Sequence, residues 1–307
     1  SQSMREILII ILIIFSSKLF SAPEGIERLN FFPDADAWLR TEYSHTTFNI
    51  ETPRETVKAK EVNNYYNLLT LTYAHKFSRK YFAGLKMGFE DASENGVLYG
   101  IPFRRRFTSV GFIDPEIFLN YRLRSLKKNR GNIDLHVSLL PSLGYRKISR
   151  PTVNRFSGRN SLRTQLNFGF QEEKWEFQNS FGFTYNSARR EENEFLGVKL
   201  RPESSFRLDF NFSTQYALRE LLFLSGTVGI FYHSTEIVRQ MQGEKRELRS
   251  GTGSLFKVAL KRKISEWSLI EGGYALRRSE YFVKGETSNL NGDLNSGQVF
   301  ADYVVLF

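Results

Sequence analysis

The segment 162–185 constrains the fold more than any other part of the chain. It consists of two alternating runs joined by a few polar residues. Leu162, Thr164, Leu166, Phe168 and Phe170 interleave with Arg163, Gln165, Asn167, Gly169 and Gln171. Beyond the polar stretch 171–174, Trp175, Phe177, Phe181, Phe183 and Tyr185 interleave with Glu176, Gln178, Ser180, Gly182 and Thr184. A period of two sends successive side chains to opposite faces of a strand, so each run has one greasy and one hydrated face. The connection is short enough for a hairpin. One large aromatic after another on a single face exceeds what a water-soluble sheet usually carries. It suits a barrel that crosses a membrane, apolar toward lipid and polar toward its lumen, with about ten residues per pass.

The same rhythm recurs along the chain. Alternating segments lie near 36–49, 64–77, 81–91, 109–123, 132–146, 161–171, 175–186, 203–216, 221–235, 250–261, 267–278 and 297–307. Short connections at 78–80, 171–174, 217–220 and 262–266, and a moderate one at 124–131, alternate with long polar stretches at 50–63, 92–108, 147–160, 187–202, 236–249 and 279–296. A membrane barrel with tight turns at one end and long loops at the other requires that order. Phe77, Tyr81, Tyr121, Phe170, Trp175, Tyr216 and Trp267 crowd the short-turn side, as an interfacial belt would. The expected fold is all-β, a transmembrane antiparallel up-and-down β-barrel of about twelve strands, with ten to fourteen left open. A secreted soluble barrel or sandwich is the bland alternative, and it does not require strict alternation of connection length.

The N-terminus reads as a processed leader. Ser1, Gln2 and Ser3 ahead of Met4 read as a tag remnant, and Arg5 then precedes the apolar run 7–15 and the small residues Ser16, Ser17, Ser21 and Ala22. That is the order of a secretory signal peptide, and the run is far shorter than the ~20 residues of a spanning helix. Residues 1–22 are therefore expected to be leader and 23–307 a single barrel domain. Cysteine is absent, which excludes disulfides, thiolate metal sites and cysteine nucleophiles. The net charge of +10 is scattered among acidic residues and sits largely in connections, so a nucleic-acid groove is not expected.

The chain ends on a strand with Val299, Ala301, Tyr303, Val305 and Phe307 on one face. Together with the leader and the hairpin layout, this terminal strand resembles the targeting signal of bacterial outer-membrane barrel proteins. The resemblance is architectural and matches no subfamily motif. It implies outer-membrane location with both termini periplasmic, lipid and lipopolysaccharide as surroundings, and insertion by the barrel-assembly machinery through the strand ending at Phe307.

No phosphate loop, zinc motif or calcium loop is present, and His45, His75, His136 and His233 lie at no metal-ligand spacing. No metal or cofactor is expected. His136 and Ser138 share one strand face, the pairing that outer-membrane lipid hydrolases resemble, with Asn167 as a candidate to orient the imidazole. Parity sends both to the lumen, away from lipid, so the chain is read as non-enzymatic. The lumen is the better candidate site. Its cations are Arg40, Lys86, Arg122, Arg163, Arg207, Lys257 and Arg277, and facing them are Glu42, Glu90, Glu116, Asp134, Glu176, Asp209, Glu271 and Asp302. Rings of charge in a wet pore select ions and orient polar solutes, and the near balance of signs predicts no anion filter. A basic patch is expected on the loops from Arg104, Arg105, Arg106, Lys147, Arg150, Arg155 and Arg159. The reading that follows is a narrow passive channel for small hydrophilic solutes. The alternatives are a structural or surface-binding barrel and, third, a lipid hydrolase.

Overall fold

The computed structural model describes residues 35–51, 64–94, 97–98, 101–102, 107–125, 131–148, 155–193, 198–240, 245–284 and 289–307. The leader, Arg104, Arg105, Arg106 and Arg150 lie outside these residues. Twelve strands form the wall: β1 (Ala37–Glu51), β2 (Asn64–Ser78), β3 (Tyr81–Glu94), β4 in two pieces (Phe107–Phe112 and Glu116–Ser125), β5 (Gly131–Leu140), β6 (Ser161–Glu172), β7 (Trp175–Asn186), β8 (Ser205–Arg219), β9 (Leu222–His233), β10 (Gly251–Ser265), β11 (Ser268–Lys284) and β12 (Asn289–Leu306). Each pairs antiparallel with its sequence neighbours, and β1 pairs with β12 from Trp38↔Leu306 to Glu51↔Asp293. The sheet is therefore closed and has no free edge. Closure suits hydrocarbon, where an unpaired N–H or C=O costs several kcal/mol, by roughly the penalty of an unmade hydrogen bond.

The first and last described residues meet beside the short turns. Asp36 N donates to Phe307 O at 3.0 Å, and Phe307 N donates to Ala37 O at 2.9 Å. The outward face carries Leu69, Leu71, Tyr73, Leu85, Met87, Phe89, Phe181, Phe183, Phe210, Val228, Ile230 and Leu276, all exposed. The belt near the short turns is a continuous ring surface in places, with Trp175 4.6 Å from Tyr216 and Phe170 4.9 Å from Phe177. An opposite belt near the long connections includes Phe206 and Tyr232, 6.0 Å apart.

Several expected boundaries shift. The β6–β7 turn is only Glu173 and Lys174, with Glu173 at a φ of 50°, a left-handed conformation that non-glycine residues adopt at a cost. β4 is interrupted at 113–115 because Pro115 has no N–H to give to the ladder. Asp114 fills the gap and accepts from Leu143 N at 2.9 Å and Ser157 N at 2.6 Å, which pins the 141–160 connection over the break. The long connections are also more ordered than polarity suggested. Arg146–Ile148, Glu191–Asn193, Val198–Pro202, Glu236–Gln240 and Lys245–Leu248 continue the wall beyond the apolar band, and β11 and β12 extend through much of 279–296. Sheet that meets water on both faces shows no hydrophobic alternation, so these strands gave no period-two signal.

Depth along one outward face gives a test. Phe181 sits mid-strand and Leu221 sits in the β8–β9 turn, and both are exposed. Phe181→Arg should cost about 2–4 kcal/mol and Leu221→Arg about 0–1 kcal/mol, measured by urea unfolding in vesicles. Water outside the wall would make both substitutions nearly silent.

Candidate functional site

Parity delivers the polar side chains of every strand to the lumen, and register decides which of them meet. Glu42 lies opposite Asp302 across β1–β12, and Asp302 lies opposite Glu271 across β12–β11. Three carboxylates side by side would repel one another. Each is compensated. Arg40 donates to Asp302, Lys86 lies 3.8 Å from Glu42, and Lys257 and Lys261 lie 3.3 and 3.8 Å from Glu271. Lys86 is also the register partner of Glu116, which lies 3.8 Å from both Arg163 and His136. A belt of alternating charge thus runs from β10 through β12 and β1 to β6. Deeper toward the short turns, Arg122 clasps Asp134 with two hydrogen bonds of 2.8 and 3.2 Å.

The two signs occupy different positions. The carboxylates lie against the wall, with side chains 1% exposed at Asp302, 11% at Glu271 and 15% at Glu116. Lys261 is buried, but the other cations reach further into the lumen, with Arg163 45% exposed, Arg40 37%, Lys257 33% and Lys86 32%. Lysine and arginine stems are long enough to anchor on a wall carboxylate while the head stays wet. On the opposite side of the barrel, Arg207 holds Asp209 and lies 4.2 Å from the Phe231 ring centre, with Arg277 5.1 Å from the same ring. Gly253 makes room for that ring, since a Cβ there would stand 2.2 Å from Phe231 Cζ. Lys257 sits 4.1 Å over Phe300. Aromatic faces attract cations at short range.

Arg40, Glu42, Lys86, Glu116, Arg122, Asp134, Arg163, Arg207, Asp209, Lys257, Glu271 and Arg277 alternate with the exposed apolar side chains and so share the opposite face of their strands. The sequence reading missed an apolar cluster on that face. Trp38, Ala74, Phe82, Phe118, Leu269, Val304 and Leu306 are buried together at the short-turn end, and Trp38 and Phe118 stack with ring centres 6.0 Å apart. Phe118 lies on Gly84, where a Cβ would be 2.5 Å from its ring. One end of the lumen is therefore narrowed by carbon, whereas the middle is charged.

Two other expectations can be set beside the geometry. Of the basic patch, Arg155 and Arg159 are the members with described side chains, and both are paired with carboxylates. Arg155 Nε donates to Glu90 at 2.8 Å, and Arg159 lies 3.4 Å from Glu236, so the acid-free loop draws its carboxylates from β3 and from Glu236–Gln240. Lys147 is on the short strand Arg146–Ile148, and its side chain lies outside the described residues. Asn167 does not orient His136. It pairs with Asp134 in register and accepts from Gln165 at 2.7 Å, whereas Asn120 Oδ1 on β4 holds His136 Nδ1 at 2.6 Å. The other imidazole nitrogen faces Glu116, and Ser138 is buried on the inward face.

The fold is that of the bacterial outer-membrane barrels. An outer membrane channel from Pseudomonas putida F1 superposes with a TM-score of 0.60 over 90% of this chain and 97% of that one, at 11% identity. The transport unit of the autotransporter AIDA-I from Escherichia coli gives 0.56 over 91% and 92%, at 9% identity. A deletion mutant of TodX, a monoaromatic hydrocarbon channel, gives 0.50 over 94% and 96%, at 9% identity. At such identities the likeness is one of fold. No family model matches the sequence, and no curated protein matches it.

The belt predicts unequal costs for two similar substitutions. Glu271→Gln leaves two ammonium groups without their carboxylate, one of them buried, and should cost about 2–4 kcal/mol. Glu247→Gln breaks the 3.2 Å pair with the half-exposed Lys245 beyond the apolar band and should cost under about 1 kcal/mol. Heat-dependent mobility on gels and urea unfolding in vesicles would read both.

Proposed function

We propose that this chain is an outer-membrane barrel that passes small hydrophilic solutes through a narrow lumen and favours anionic ones. Its long connections face outward, both ends of the described chain lie on the periplasmic side, and the strand ending at Phe307 directs insertion. No chemical step is assigned to it. The observation that carries this reading is the wetness of the lumen cations, whose carboxylate partners are held against the wall. Formal charges nearly balance by count, but a passing solute meets guanidinium and ammonium heads first. Such heads attract anions without the tight binding that would slow exit. Charged walls also disfavour an apolar cargo, in contrast to the hydrocarbon channel of similar fold.

A second reading has one observation in its favour. The Trp38–Phe118 cluster would seal the short-turn end and make the barrel a structural or surface-binding one. Planar bilayers separate the two. Discrete conductance steps are expected, with a reversal potential in a KCl gradient that favours chloride. The double variant Arg163→Glu, Arg277→Glu should shift that preference toward potassium, and Trp38→Ala should enlarge the step. Silence from both the native chain and a Trp38→Ala, Phe118→Ala variant would decide for the sealed barrel.

A further inference from the structure

Beyond the apolar band, the outer wall between β6 and β9 carries a basic cleft unrelated to the lumen. The strand Val198–Pro202 pairs antiparallel with Glu236–Gln240, and Arg201 lies directly opposite Arg239. Leu200, Pro202 and Val238 are fully buried on the inner side, which puts both arginines on the outer face, where both are exposed. Like charges directly opposite each other destabilise a strand pair. Glu203 relieves only one of them, its carboxylate accepting from Arg239 Nε at 2.7 Å. The cleft, about 700 Å³, is also lined by Arg190, on the exposed side of the 187–190 connection. Arg190 and Arg201 meet no carboxylate among the described residues, while Arg189 and Arg159 are taken by Glu191 and Glu236. Glu203 is the one acidic residue in the lining.

The position of the cleft limits its ligand. Its floor continues directly into the outward aromatic belt, since Tyr185 precedes the 187–190 connection and Phe206 follows Glu203 by three residues. Tyr185 and Phe206 are register partners, and both are exposed. An occupant would meet arginines at its head and aromatic rings, then Phe183 and Leu208, along its tail. A free anion uses only the first half of that surface.

We propose that this cleft binds a phosphorylated glycolipid of the outer leaflet. Its phosphate bridges Arg190 and Arg201, and its acyl chains lie on Tyr185, Phe206 and Leu208. Guanidinium groups match phosphate oxygens bidentately, and an anion placed there turns the Arg201–Arg239 repulsion into attraction. The inference rests on the outer-membrane reading above, because only then do the arginines stand at headgroup depth.

The test uses the full chain in nanodiscs, with bis-phosphorylated lipid A as probe and its dephosphorylated form and inorganic phosphate as comparators. Lipid A should raise the unfolding midpoint of the native barrel, and the dephosphorylated form should not. In the Arg190→Gln, Arg201→Gln variant the apparent affinity should fall at least tenfold. Both side chains are exposed, so the variant should keep the heat-dependent gel shift of the native barrel, with a lipid-free midpoint unchanged or slightly higher. An unaltered lipid A response in that variant would overturn the proposal, as would an equal response to inorganic phosphate. Failure of the chain to enter nanodiscs would overturn both this inference and the reading beneath it. Entry without a preference for phosphorylated lipid would overturn the inference alone.

Discussion

The hydrogen-bond demand of a closed β wall governs this structure. In hydrocarbon no water could stand in for a missing partner, so a wall suited to that setting must satisfy every N–H and C=O on a neighbouring strand. The antiparallel ladders meet that demand along the chain, and the β1–β12 pairing meets it at the seam. Once the sheet is closed, the period of two fixes the rest. One residue in two faces outward, and the other is committed to the lumen, whatever its chemistry. The bulges in β2, β4, β8 and β10 lie toward strand ends, where ladder irregularity is least costly, whereas the break at Pro115 falls inside β4 and is spanned by the Asp114 carboxylate.

The lumen inherits charges it must then accommodate. Rows such as Glu42, Asp302 and Glu271 are tolerable because each carboxylate has a cation within reach, from an adjacent strand for Asp302 and Glu271 and from β3, across β2, for Glu42. Short acidic side chains stay near the backbone, and long basic ones extend inward. The difference in stem length thus converts a balanced census into an uneven field at the axis. Near the short turns, the same inward face becomes apolar. Polar middle and carbon-lined end are thus built on one and the same inward face.

Much of this was legible in the sequence, and the reasons are specific. Phe181, Phe183 and Tyr185 declare a lipid face, and their alternation assigns Ser180 and Gly182 to the other side without knowledge of the fold. Twelve strands and their hairpin order followed from the alternation of connection lengths. Partners were not legible, because pairing depends on register between distant segments. Arg40 and Asp302 are 262 positions apart, and only barrel closure brings them together. For the same reason Asn167 was a plausible but wrong companion for His136, while Asn120, set by the β4–β5 register, was overlooked. The Arg201–Arg239 juxtaposition is of this kind too. Trp38, Phe82 and Phe118 were hidden for another reason. They share the parity of the charged inward residues of their strands, and nothing local marks where a polar lumen stops.

That hydrocarbon covers the Phe-rich face is tested most directly by fluorescence quenching. A single tryptophan at Phe181→Trp, with Trp38, Trp175 and Trp267 replaced by phenylalanine, would be reconstituted in vesicles whose acyl chains carry bromine near their midpoint. Strong quenching relative to unbrominated lipid is the expected result. Fluorescence indifferent to the bromine, but quenched by aqueous acrylamide, would mean that water or protein covers this face instead, contradicting the account.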